Sequence, residues 1–162
     1  MVQRLAQNID DVLVIGNGMV GHHFVTQLRT IDPMTSIRVL SGEPRLAYDR
    51  VHLSEFFSGK TADDLAMTTE AEYDDQDIKY ELNAWVSSID KVAKIVTTST
   101  GETYAYKTLV LATGSYPFVP PIPGNDQPHC LVYRTIEDLN DIQTAASVSK
   151  TGVVVGGGLL GL

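Results

Sequence analysis

The chain has 162 residues, 43% of them hydrophobic and 20% charged, the balance of an ordinary globular domain with room for a sizeable core. Twelve basic against twenty acidic residues leave a net charge of −8, which argues against a nucleic-acid or anionic-membrane role. The single Cys130 excludes an internal disulfide and any CxxC metal or redox pair, and suits a reducing, cytoplasmic compartment.

Residues 1–11 read as a polar lead-in without a secretory leader, and the first apolar run is too short to cross a bilayer. That run, Val-Leu-Val-Ile at 12–15, is a buried strand, and Gly16-x-Gly18-x-x-Gly21 turns it into a helix over 22–29. Each glycine has its own task. Gly16 permits a tight turn, Gly18 lets a pyrophosphate approach the backbone, and Gly21 lets helix and strand pack closely. The N–H groups and positive dipole end of the helix favour the phosphates. A second strand at 37–40 completes a βαβ unit, after Asp32-Pro33 has closed the preceding loop.

An irregular stretch follows over 41–58. Thr61 with Asp63 and Asp64 suggests a short helix starting at 61–65. Segments 78–82, 85–89, 94–98 and 103–106 read as a small antiparallel meander, with turns at Asp90-Lys91 and Thr100-Gly101. Residues 109–111 form a buried strand running into Ala112-Thr113-Gly114, a proline-rich loop spans 117–124, and 135–146 is a helix. The last ten residues repeat the opening signature, Val-Val-Val-Gly156-x-Gly158-x-x-Gly161, 140 positions after the first. Two such fingerprints imply two nucleotides on two Rossmann-type domains. The chain stops one residue after Gly161, where a helix would start, so it reads as the leading part of a longer protein. The expected organisation is a cofactor domain over 1–150, then the first strand and glycine turn of a second domain over 151–162. Without its sheet, the run 153–155 is expected to dock on its own domain or to self-associate with a second molecule.

The order of these motifs resembles the two-dinucleotide-binding-domain flavoproteins, which bind FAD first and NAD(P)H in an inserted domain. The segment 43–54, Glu-Pro-Arg-Leu-Ala-Tyr-Asp-Arg-Val-His-Leu-Ser, and the segment 133–139, Tyr-Arg-Thr-Ile-Glu-Asp-Leu, resemble the large-subunit family of assimilatory NAD(P)H-dependent nitrite reductases. That likeness implies an α/β fold, a Rossmann-type FAD-binding domain with a parallel sheet plus a small antiparallel meander. It implies that Gly16, Gly18, Met19, Val20 and Gly21 line the FAD pyrophosphate, with Arg50 offering its guanidinium to the phosphates or the flavin edge. Val86 would meet the adenine through its backbone, Ala112, Thr113 and Gly114 would pass close to the cofactor, and Arg134 would lie near the flavin. Gly156, Gly158 and Gly161 would hold NAD(P)H.

Two positions depart from that pattern. Related reductases carry an acid at the position of Ser41 or Gly42 for the adenosine ribose, and here the only candidate is Glu43. Either Glu43 reaches the ribose or backbone and water hold it. Ferredoxin-type relatives have a lysine after the Leu-Ser pair, where this chain has Glu55, expected to point away from the flavin. Val51 stands where thiol-using relatives place a cysteine, and Cys130 reads as a small buried hydrophobe. No residue of the chain needs to be a catalytic acid or base, and the four histidines lack metal-ligand spacing.

The implied function is electron transfer from NAD(P)H through FAD towards iron–sulfur and sirohaem centres outside this chain, with the fragment inactive by itself. Two alternatives stay open: a reductase of a small electron carrier, and a non-catalytic nucleotide-sensing module.

Overall fold

A computed structural model describes residues 9–156, which fall into two compact units, the first reaching to Ser115 and the second starting at Tyr116. The first unit is built on one six-stranded sheet in the order β3-β2-β1-β6-β5-β4. Its strands are β1 (Ile9–Ile15), β2 (Ile37–Leu40), β3 (Ile78–Glu81), β4 (Val86–Asp90), β5 (Ile95–Thr98) and β6 (Thr103–Leu111). The pairs β3/β2, β2/β1 and β1/β6 are parallel, whereas β6/β5 and β5/β4 are antiparallel.

The continuous apolar run of β1 is explained by burial on both faces. Leu13 and Ile15 join Leu40, Ala84, Val96 and Tyr106 on one side, while Val14 packs with Val25, Ile37, Val39, Tyr73 and Ile78 on the other. Helix α1 (Met19–Ile31) lays Phe24, Val25 and Leu28 on that second side. Arg29 near its end is pinned by carbonyls of Pro33, Thr35, Gln76 and Asp77, at 2.6 to 2.9 Å, which ties α1 to the loops on both sides of the sheet edge. Helix α2 (Glu70–Asp75) brings in Tyr73, whose side chain is fully buried.

The structure corrects the sequence reading at four points. Residues 61–65 form turns rather than a helix: Asp64 Oδ2 accepts from Thr61 N at 2.8 Å and the chain leaves at once. The helix of this region is α2, where Thr69 and Glu72 close a reciprocal capping box. Strand β3 belongs to the parallel part of the sheet, paired with β2, because its Ile78 is wanted in the α1 side of the core. Finally, 103–106 and 109–111 are one strand, β6, antiparallel to β5 at its start and parallel to β1 beyond, so the meander continues the main sheet instead of standing apart.

In the second unit, helix α3 (Ile136–Val148) starts at Thr135, which forms a capping box with Asp138. Residues 151–156 carry no strand pairing, and Val153, Val154 and Val155 are exposed. No helix among the described residues is long and apolar enough to cross a membrane.

Candidate functional site

The chain runs outward through β1, β2 and β3 and then returns to β6 on the other side of β1. The C-terminal ends of β1 and β6 therefore border the crevice in which open α/β sheets bind ligands. The glycine loop lies there, and its three glycines prove physically distinct. Gly16 has a φ of +107°, and a Cβ on it would lie 2.2 Å from the Ala112 carbonyl oxygen. A Cβ on Gly21 would lie 2.0 Å from the Gly16 carbonyl oxygen. Both positions are closed by the protein's own backbone. Gly18 differs: a Cβ there would meet only Arg50 Nε, at 3.8 Å, and its φ of −87° suits any residue. Nothing in the fold itself demands glycine at 18.

Gly18 is also the N-cap of α1. It supplies no side-chain cap, and the first turn, from Met19 through the exposed Val20, has no acidic residue. That leaves the opening N–H groups of α1 and the positive end of its dipole without an internal anion. The Arg50 guanidinium stands beside the loop. It is ion-paired with Glu43, donates from Nη1 to Tyr48 Oη at 2.7 Å and lies over the Tyr48 ring, 4.5 Å from its centroid. Tyr48 in turn donates to Glu43 Oε2 at 2.8 Å, which closes a ring of three side chains. The arrangement is dry enough to hold its shape, with Arg50 only 16% exposed and Glu43 29%. Glu43 is thus held against the arginine that borders the glycine loop, and Gly42 beside it lies under the ring of Trp85.

Ala112 ends β6 by donating its N–H to Ile15 O at 2.8 Å. Its small side chain lies 3.5 Å from where a Gly21 Cβ would be, so 112–114 pass directly against the glycine loop. Thr113 and Gly114 are exposed there, Gly114 with a φ of +69°. Val86 opens β4, half-buried, next to a register shift between Val86 and Ser88. The first unit therefore brings Gly16, Gly18, Met19, Val20, Gly21, Glu43, Arg50, Ala112, Thr113 and Gly114 to the C-terminal strand ends, whereas Val86 opens β4 and packs on the core of Leu13 and Ile15. Arg134 lies in the second unit, directly before the Thr135 cap. Gly156 is exposed with a φ of +122°, and Gly158 and Gly161 lie outside the described residues.

Glu55 is paired with Lys60, which holds its carboxyl below the usual range. A few residues away His52 Nδ1 sits 2.6 Å from Asp49 Oδ2, and this contact lowers the Asp49 pKa and raises that of His52. Cys130 is not the buried hydrophobe expected: it is exposed, with Sγ 3.3 Å from the Gly124 carbonyl oxygen, because the proline-rich loop carries it on its surface.

Sequence reasoning missed one feature. Asn17, between the first two glycines, is buried and accepts a 2.8 Å bond from the Tyr73 hydroxyl, which lies 3.1 Å from His22 Nδ1. His22 also stacks on the Tyr73 ring, and burial lowers its pKa. Asn17 Nδ2 has no partner among the described residues. The polar residue inside the glycine motif was a visible signal, but Tyr73 sits in a helix that the hydrophobic pattern did not reveal.

The family model for the pyridine nucleotide-disulphide oxidoreductases matches residues 10–162. The chain is 49% identical over 151 residues to the nitrite reductase (NADH) large subunit of Escherichia coli (strain K12), covering 92% of this chain and 18% of that protein. It is 44% identical over 153 residues to the nitrite reductase [NAD(P)H] large subunit of Klebsiella oxytoca, covering 93% of this chain and 16% of that one. The chain thus spans less than a fifth of the length of these two curated relatives. Among solved structures it resembles the NADH:rubredoxin oxidoreductase from Clostridium acetobutylicum, with a TM-score of 0.84 and 26% identity over 95% of this chain and 40% of that one. A NAD-dependent persulfide reductase from A. fulgidus gives a TM-score of 0.85 and 27% identity over 94% of this chain and 30% of that one.

Proposed function

The chain belongs to the pyridine nucleotide-disulphide oxidoreductase family, and from that premise we propose that it is the FAD-binding portion of a cytoplasmic NAD(P)H-dependent nitrite reductase. The observation that carries the FAD assignment is the start of α1. Its N–H groups have no side-chain cap, its first turn has no acid, and the glycine at its head is demanded by no protein contact, Arg50 Nε being 3.8 Å from where a Cβ would lie. A cradle that an added Cβ would fill, faced by a guanidinium, fits a pyrophosphate.

In this reading the chain's own residues bind and orient. The N–H groups at Gly18, Met19 and Val20 take the phosphates. Arg50 transfers part of its charge-assisted bonding from Glu43 to them, which frees the Glu43 carboxylate for the adenosine ribose hydroxyls. Ala112, Thr113 and Gly114 stay small or flat so that the isoalloxazine side of the cofactor can lie against backbone. When bound, FAD supplies hydride acceptance and one-electron delivery, chemistry for which the chain needs no acid, base or metal of its own. The nicotinamide donor belongs to the glycine turn at Gly156, Gly158 and Gly161. Electrons would leave for iron–sulfur and sirohaem centres carried outside this chain; the 44–49% identity to nitrite reductase large subunits supports nitrite as their final acceptor.

The test is spectroscopic. The full-length protein of which this chain is proposed to be a portion, incubated with FAD and desalted, should keep a flavin absorption spectrum that bleaches on anaerobic NADH or NADPH addition. A protein that takes up no FAD overturns the assignment. The likeness to an NADH:rubredoxin oxidoreductase favours a second reading, a reductase of a small electron carrier. NADH oxidation that depends on nitrite supports the first; oxidation that needs an added rubredoxin-type carrier supports the second.

A further inference from the structure

Ser41 and Gly42 are the two positions at which an acid would ordinarily accept the ribose hydroxyls, and at Gly42 a ring of the protein's own stands instead. A Cβ on Gly42 would lie 2.7 Å from Trp85 Cε3 and 3.2 Å from Cζ3. The six-membered ring of the indole is therefore seated on the Gly42 backbone, and any side chain at 42 would displace it. The seat is braced by main-chain bonds on both flanks: Asn83 N donates to Glu43 O at 3.1 Å and Ala84 N to Ser41 O at 2.7 Å. Trp85 O accepts from Ser99 N at 2.7 Å, which secures the residue to the end of β5. Ala84 beside it is core, whereas the Trp85 ring remains half exposed.

An indole so anchored, with half its surface in water, has a position worth holding. It lies at the C-terminal end of β2, next to Glu43, which joins Arg50, which borders Gly18. The sequence of groups Gly18, Arg50, Glu43, Gly42, Trp85 is the order in which a dinucleotide presents pyrophosphate, ribose and base when its phosphates sit on a helix N-terminus and its ribose at the end of the second strand. We propose that Trp85 is an adenosine-binding residue: its exposed indole face packs against the adenine of the bound nucleotide, and Gly42 is glycine to admit that ring. The acceptor role lost at 42 passes to Glu43. This rests on the FAD reading above and adds to it a specificity-determining contact for adenine nucleotides.

Stacking of a base on an aromatic side chain is worth about 1–3 kcal/mol, so removing the ring should weaken binding roughly fivefold to 150-fold. The purified protein is titrated with FAD, ADP and FMN. The Trp85 contribution to fluorescence is taken as the difference between wild type and Trp85→Phe. ADP should change that contribution saturably, and FMN, which lacks adenosine, should not. Trp85→Ala should weaken FAD and ADP by the stated factor at unchanged thermal unfolding, with Trp85→Phe recovering most of it. Gly42→Asp should weaken FAD as well, by expelling the ring, in spite of restoring an acid. FAD and ADP that bind with unchanged Trp85 emission and with equal affinity to Trp85→Ala overturn this proposal alone. A wild type that binds neither overturns it together with the FAD reading. The emission arm needs only wild type and the conservative Trp85→Phe, so it stands even where Trp85→Ala folds poorly.

Discussion

Helices α1 and α2 lie on the same side of one sheet, and they begin in opposite ways. At α2, Thr69 accepts from Glu72 N and the Glu72 carboxylate accepts from Thr69 N, so the helix supplies its own anion. At α1 the cap is Gly18, with no side-chain bond and no acid in the first turn. Helix α3 in the second unit repeats the α2 solution with Thr135 and Asp138. An internal cap satisfies a helix and closes it; a bare one leaves donors and dipole for an outside anion. The two elements differ in whether the fold itself supplies the anion at the helix start.

The comparison can be broken first at its supports. Gly21→Val places a Cβ on top of the Gly16 carbonyl and should cost more than about 4 kcal/mol, leaving little folded protein by circular dichroism. Gly18→Asp should do the reverse. It turns the α1 cap into one like that of α2, holding or slightly raising the melting temperature, while FAD affinity falls by about a hundredfold or more. A Gly18→Asp protein that melts early or still binds FAD would mean that the glycine serves the turn and not a ligand.

Smaller effects sharpen the same contrast. Thr69→Ala removes the α2 cap and should cost about 1 kcal/mol, a drop of roughly 2–4 °C in melting temperature, with FAD affinity unchanged. The smallest effect is ionic. His52, held by Asp49, should titrate above its ordinary 6.5 in an NMR pH series, and Asp49→Asn should bring it back. Half-buried His22 should titrate below 6.5. The signs differ accordingly. The His52 contribution is full at low pH and fades as pH rises through its raised value. The His22 contribution is full above 6.5 and is lost as pH falls through its lowered value.

Much of the site could be read in one dimension because its parts are local. The strand-glycine-helix motif puts Gly16, Gly18 and Gly21 within six residues, and the physical demands on each are set by backbone geometry alone. The helix at 135–146 was legible as well, though its capping box of Thr135 and Asp138 was not read from the sequence. The short helix α2 was not, since six residues with one buried side chain, Tyr73, give no periodicity to read. The turn at 61–65 offered a competing cap, Thr61 with Asp64, and local hydrogen bonding of that kind closes a turn as readily as it starts a helix.

What the sequence by itself determined is the βαβ start, the burial of β1, and the glycine loop that joins it to α1. What only the tertiary structure decided is who meets whom across distance. Strand β3 pairs with β2 rather than with the meander, because parallel register is set by burial of Ile37, Val39 and Ile78 in one core and not by sequence proximity. Arg50 is brought to Gly18 and Glu43, Ala112 to Gly16, and Trp85 to Gly42, each pair separated in the chain by a loop or a crossover. A glycine written in the sequence says that room is needed. Only the fold says whether backbone, an indole or nothing of the protein's own takes that room.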